Sequence, residues 1–320
     1  NAEVCEETEN GIIFRDLVKG RRLENNLLKT VSTLSVVECS LECLKEICCL
    51  SVNYGKDLND MKEHDCELNV GKISSNPEDF TKNSSYLYYE IMDTGNGFRV
   101  EPCSKALGNS KDHPGKSCDD IKQHTNTCIS KEYWIKPTGI ATPFLVYCEM
   151  KLYEGGWTLV YSYTFTNYTH FYVSSNAVAP RPDWNAPSAS VTISKLAPLK
   201  HQHNAIEYQY WKNIGNKFFI RSNINNWYKC EPGLGSLVEK KGGSIICEKL
   251  VDIGVACNDT IKPDEIAWEG SGPVLKGARK AIYRFDGSTT ASYPVHSSCK
   301  SSTKKHKRGV TNPYGKIFIK

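Results

Sequence analysis

The chain has 320 residues, 39% of them hydrophobic and 24% charged, with a net charge of +4. Those proportions are of a folded, soluble protein rather than a disordered one, and the length suits two domains of ordinary size. No run of about 18 apolar residues occurs, which argues against a membrane-spanning helix.

The start, NAEVCEETEN, is polar and acidic and reads as a mature form whose leader has been removed. Charge is unevenly spread: residues 1–95 carry 10 Lys+Arg against 18 Asp+Glu, and the remainder carries 30 against 18. The 14 cysteines also divide. Six lie between Cys5 and Cys66 and eight between Cys103 and Cys299, with none from Cys66 to Cys103. Two even sets suggest two modules that each close their own disulfides, and therefore a secreted or cell-surface protein. A disulfide-rich secreted chain is an unsuitable partner for nucleic acid.

Along the first module, Ser35-Val-Val-Glu38 has the form of a capping box and opens a helix. Cys39 and Cys43 are four apart and share a face of it, with Leu41, Leu44 and Ile47 expected to extend the apolar surface. Leu50–Tyr54 alternates as a strand does; Cys66–Asn69 and Tyr86–Tyr89 read as further strands. The Cys-x3-Cys spacing also suits zinc, but the even count and the secreted context favour disulfides.

A helix with two cysteines on one face, followed by Cys49-x-Ser-x-Asn-Tyr54 and Cys66-x-Leu68, resembles the PAN/apple module. The resemblance implies that Cys39 pairs with Cys66 and Cys43 with Cys49, and that the module binds proteins or carbohydrates without catalysis. Cys5 and Cys48 are left as a third pair.

Asp93–Gly97 is turn-rich and marks the joint, and Ser104–Gly115 is also loop-like. The expected division is a module over 1–94, a linker over 95–116 and a second domain over 117–320. In the second domain Ser117 caps a short helix, Glu132–Ile135 and Phe144–Met150 read as strands, and a Gly155-Gly156 turn leads into Trp157–Val160. This order of Ser117-Cys-Asp-Asp-Ile121, Val146-Tyr-Cys-Glu-Met150 and Gly155-Gly-Trp-Thr158 resembles the opening of a fibrinogen C-terminal-like domain. It implies a Cys118–Cys148 disulfide. Later strands are expected at Phe218–Ser222, Asn226–Tyr228, Ser244–Cys247 and Ala281–Phe285, with a closing strand in Tyr314–Lys320. Cys230 and Cys247, then Cys257 and Cys299, are neighbours in sequence, and Cys103 and Cys128 remain; eight cysteines allow about 105 pairings. The fold class is α+β: a small disulfide-stapled module with a helix on a twisted antiparallel sheet, and a larger β-rich, loop-heavy domain.

Residues with chemistry are few. The Asp-x-Asp calcium loop of the fibrinogen family is absent near Cys230, Cys247, Cys257 and Cys299, so neither that site nor its acetyl-group pocket carries over. Scattered oxygens around Asp252, Asp259 and Asp264 are the remaining calcium candidates; otherwise no cofactor is expected. His201 and His203 read as exposed loop histidines rather than metal ligands. The Gly-x-Ser-x-Gly and Gly-Asp-Ser-Gly-Gly signatures are missing, so no enzyme is expected. Asn83, Asn167 and Asn258 head glycosylation sequons. Lys304, Lys305, Lys307 and Arg308 belong to a cationic run suited to acidic ligands. Trp184, Trp227, Tyr228 and Trp268 lie near Pro, Gly or Asn and are candidates for stacking on sugar rings. The expected function is a secreted, lectin-like recognition or adhesion glycoprotein that binds glycans or glycoproteins. The alternative is an extracellular matrix or coat protein that associates with other proteins, self-association being open.

Overall fold

The structure is a computed structural model. It describes residues 14–46, 49–60, 62–73, 77–91, 107–125, 127–167, 176–254, 261–289, 294–297 and 306–320. The chain divides into two compact units between His113 and Pro114.

The first unit has five antiparallel strands and one helix. The strands are β1 (Phe14–Leu23), β2 (Leu27–Thr33), β3 (Ser51–Leu58), β4 (His64–Asn69) and β5 (Phe80–Ile91), in the sheet order β1-β5-β3-β4-β2. Helix α1 (Val36–Lys45) starts at Ser35, whose Oγ accepts the Glu38 N–H at 3.2 Å. Glu38 reaches back to accept the Leu34 N–H at 2.7 Å, so two backbone donors at the helix start are satisfied. Cys39 and Cys43 are fully buried and bonded, to Cys66 in β4 and to Cys49 just before β3. Val52, Tyr54 and Leu68 fill the core around them.

Leu41 does not extend that apolar surface: it is 52% exposed. Two residues at 100° each place it on the side of α1 away from Cys39 and Cys43. It joins Leu34 and Val37, also exposed, in an apolar stripe facing solvent. Ile47 lies outside the described residues.

A polar network runs through the core of this unit. Asn53 of β3 is fully buried, accepts the Leu23 N–H and donates to the Leu23 carbonyl and to Glu67 of β4. Arg22 of β1 forms a two-pronged pair with Glu67 and lies 4.9 Å from the Tyr86 ring. Its hydrogen bond to Glu67 raises the Arg22 pKa above the ordinary value. One buried carboxylate thereby links β1, β3 and β4.

The second unit is built on one long antiparallel sheet. Its first strands are β6 (Lys131–Ile135), β7 (Phe144–Glu149), β8 (Trp157–Phe165) and the short β9 (Val178–Ala179). Next come β10 (Phe218–Ser222), β11 (Trp227–Pro232), β12 (Gly243–Val251), β13 (Glu265–Glu269), β14 (Gly272–Gly277) and β15 (Lys280–Arg284). Last are β16 (Val295–His296) and β17 (Gly315–Ile319). The order is β16-β15-β14-β13-β12-β11-β10-β17-β8-β7-β6, with β9 beside β8. The C-terminal strand is thus a central one, buried along its whole length between β10 and β8.

Helix α2 (Cys118–Thr125) is joined to β7 by the Cys118–Cys148 disulfide. Ser117 Oγ accepts the Asp120 N–H at its start. Gly155 and Gly156 both take positive φ, 64° and 78°, in the turn before β8. A Cβ on Gly155 would run into the Met150 carbonyl, so glycine is required there. The turn delivers Trp157 into a cluster with Tyr147, Leu159, Phe219 and Phe318. Cys230 and Cys247 face each other across β11 and β12 and are bonded.

Cys128 is disulfide-bonded, while Cys103 lies outside the described residues. The expected Cys5–Cys48 and Cys257–Cys299 pairs also fall outside them, as does most of the expected 95–116 linker.

Candidate functional site

Of the four aromatic candidates, two are corrected by their packing. Trp184 is 1% exposed, with ring centroids of Tyr161, Trp211 and Trp268 within 5.6–5.8 Å. Its loop folds inward instead of presenting the indole to solvent. Tyr228 is fully buried, and its hydroxyl donates to the Ile261 carbonyl. Neither ring has a face open to a sugar.

Trp227 is half-buried, but the Arg221 guanidinium covers its ring at 5.2 Å and its Nε1–H donates to the Ser222 carbonyl. Trp268 is also half-buried and lies beside Tyr208, at 5.9 Å between ring centroids, with the Lys240 ammonium over it at 5.8 Å.

Tyr208 belongs to an open cavity of about 420 Å³, lined also by Gln209, Lys212, Val238 and Glu239. Tyr208 precedes the short helix α3 (Trp211–Ile214), and its hydroxyl is fixed on the Leu237 carbonyl at 2.5 Å. Val238 is buried at the base, whereas Gln209, Lys212 and Glu239 are exposed. A half-buried aromatic ring is therefore rimmed by an amide, a cation and a carboxylate, with Val238 buried beside it. That combination can pack the apolar face of a saccharide ring and bond its hydroxyls. Sequence reasoning passed over Tyr208, Gln209 and Lys212 because no motif or spacing sets them apart from their neighbours.

The other candidates are dispersed. Lys307 and Arg308 are exposed, and the Lys307 N–H donates to the Ile224 carbonyl; Lys304 and Lys305 lie outside the described residues. Asn167 is exposed, Asn83 is half-buried within β5, and Asn258 lies outside the described residues. The Asp252 carboxylate is engaged by Lys249 and by Asn226 Nδ2, which leaves it a poor cation ligand. Asp264 accepts the Ala278 N–H, and Asp259 lies outside the described residues. Among the described residues no three His, Cys, Asp or Glu side chains gather in a metal-binding group. His201 and His203 are both exposed, and His203 Nδ1 lies 3.1 Å from Ser162 Oγ.

Each unit contains a segment that matches a known family model. Residues 14–93 match the PAN domain, and residues 114–173 match the C-terminal globular domain of fibrinogen beta and gamma chains. The chain is 39% identical over 56 residues to the fibrinogen alpha chain of Gallus gallus, a stretch covering 17% of this chain and 8% of that one. Among solved structures, the fibrinogen-like globe domain of human ANGPTL2 aligns with a TM-score of 0.34 and 10% identity, over 65% of this chain and 99% of that one. The described residues hold four disulfides and no helix long and apolar enough to cross a membrane. The chain carries a PAN domain followed by a fibrinogen C-terminal-type domain, a pairing that points to extracellular protein binding or adhesion.

Proposed function

We propose that this is a secreted recognition glycoprotein whose fibrinogen-type unit binds glycans at the cavity formed by Tyr208, Gln209, Lys212, Val238 and Glu239. The observation that carries the reading is the aromatic surface bordered by exposed hydrogen-bonding groups of both charges. The Tyr208 ring is wedged against Trp211 and Trp268, so little freedom is lost when a ligand settles on it. Glycan attachment at Asn83, Asn167 and Asn258 belongs to the same extracellular reading.

A sugar column tests it. The protein should be retained and released by free sugar, and replacing Lys212 and Glu239 together by alanine should abolish retention without unfolding the exposed rim. Passage of the wild-type protein through every column would count against it.

The second reading, association in a matrix or coat, draws on a different surface. Leu34, Val37 and Leu41 are exposed by 69%, 65% and 52%, an apolar stripe that a second copy of the chain could cover. It predicts concentration-dependent self-association that serine at these three positions removes.

A further inference from the structure

Three central strands of the fibrinogen-type unit set a row of polar side chains across the sheet. Arg221 of β10 stands directly opposite Lys316 of β17, and Lys316 stands opposite Ser162 of β8. Opposed residues hold their Cβ atoms about 5 Å apart, and like charges so placed repel. The Trp227 ring, under the Arg221 guanidinium, continues the row on one side; His203, beside Ser162 Oγ, continues it on the other. Lys200 leans over Tyr147 at 5.9 Å, and its carbonyl accepts a hydrogen bond from Lys316 Nζ.

Counter-charge is thin. Among the described residues Glu149 is the carboxylate that approaches Arg221, at 4.0 Å. Its Oε1 already accepts from Ser130 Oγ and from the Lys151 and Leu152 N–H groups. Glu132 faces the Lys200 backbone N–H at 3.4 Å. Arg221 Nε is shielded from water and has no hydrogen-bond partner. Lys316 is only 8% exposed; burial, then Arg221 and Lys200, push its ammonium down to about 8. Lys200 and His203, by contrast, are exposed and border an approach from solvent. Two opposed cations and a shielded donor are the groups that an oxyanion satisfies, with charge-assisted hydrogen bonds and a guanidinium fork.

We propose that Arg221, Lys316 and Lys200 form a binding site for the carboxylate or sulfate group of an acidic saccharide, apart from the Tyr208 cavity. The saccharide carrier rests on the glycan-binding reading; the oxyanion chemistry does not. Binding favours charged Lys316, so it draws in a proton near pH 8 and weakens as pH rises beyond that. The groups facing Lys316 set this direction together: Arg221 and Lys200 disfavour its charge, Glu149 favours it, and the Tyr314 ring lies 5.6 Å from Nζ. Partial burial of its ring, then Lys316, lowers the His203 pKa although the residue as a whole is exposed, so it is neutral over this range.

The test titrates the full chain with sodium sulfate, glucuronic acid and a heparin-derived hexasaccharide at fixed ionic strength, following tryptophan fluorescence and heat, with Trp227→Phe showing which part of the signal comes from Trp227. Arg221→Gln, at a part-exposed position, and Lys200→Ala, at an exposed one, should each weaken binding roughly tenfold, and Lys316→Met more. Wild-type affinity should fall roughly tenfold between pH 7 and pH 9.5. Equal affinities for wild type and Arg221→Gln overturn the site. Saccharide binding that none of the three variants disturbs overturns it while leaving the glycan reading intact. Sulfate binding lost in the variants, with every saccharide silent, upholds the oxyanion site and overturns the carrier.

Discussion

Single residues set how each unit responds to acid and to substitution. His296 is fully buried, with its Nε2 2.8 Å from the Tyr163 hydroxyl and its ring 4.6 Å from that of Tyr283. Burial, then the neighbouring His306, pushes its pKa down to about 3. In the unfolded chain it titrates near 6.5, so between these values the unfolded state binds the extra proton. Stability from this group is complete above pH 6.5 and falls by about 1.4 kcal/mol per unit as pH drops toward 3. Urea midpoints between pH 7 and 4 should show this slope, and His296→Phe should flatten it; an unchanged slope would remove His296 from the account. In the PAN unit, Glu67→Ala strands Arg22 and buried Asn53, and should cost about 2–4 kcal/mol, read as a lowered calorimetric midpoint of that unit. The sequence alone did not show this network, because Arg22, Asn53 and Glu67 are 45 residues apart at the extremes and nothing local marks them as partners.

At the scale of elements, legibility followed local chemistry. The α1 start was readable from Ser35 and Glu38, the β8 turn from Gly155-Gly156, and strands β3, β4 and β7 from alternation or apolar runs. Strand β2 was not readable: it is an edge strand with its first four residues exposed, so no alternation was imposed on Leu27–Thr30. Strands β13 and β14 were missed because their register is fixed by partners, not by pattern. Trp184 shows the same limit in a loop: Pro182-Asp-Trp-Asn185 reads as exposed, yet long-range packing buries the indole. Gly155→Ala combines a positive φ with a collision at the Met150 carbonyl, and should prevent folding of the fibrinogen-type unit, seen as lost near-UV circular dichroism. Removing the Cys39–Cys66 bridge, which spans 27 residues, should lower PAN-unit stability by about 3.5 kcal/mol on the chain-entropy account, measured by denaturant midpoints of the Cys39→Ser/Cys66→Ser double variant.

At the scale of the whole molecule, two disulfide-held units carry different surfaces. The PAN unit shows solvent an apolar stripe on α1 and just before it; the fibrinogen-type unit shows a cavity with an aromatic side and a charged rim. The family-level class was legible from cysteine spacing and the Gly-Gly-Trp turn, which are local and stringent. The cavity was not, because Tyr208 and Val238 are brought together by the fold across 30 residues of chain and no motif announces them. Glycan recognition at this cavity is read out by a glycan array probed with the disulfide-intact protein. Wild-type protein should bind a defined saccharide class, and the Lys212→Ala/Glu239→Ala variant should not. A blank array from wild-type protein, together with self-association that serine at Leu34, Val37 and Leu41 abolishes, would contradict glycan recognition and support the matrix reading.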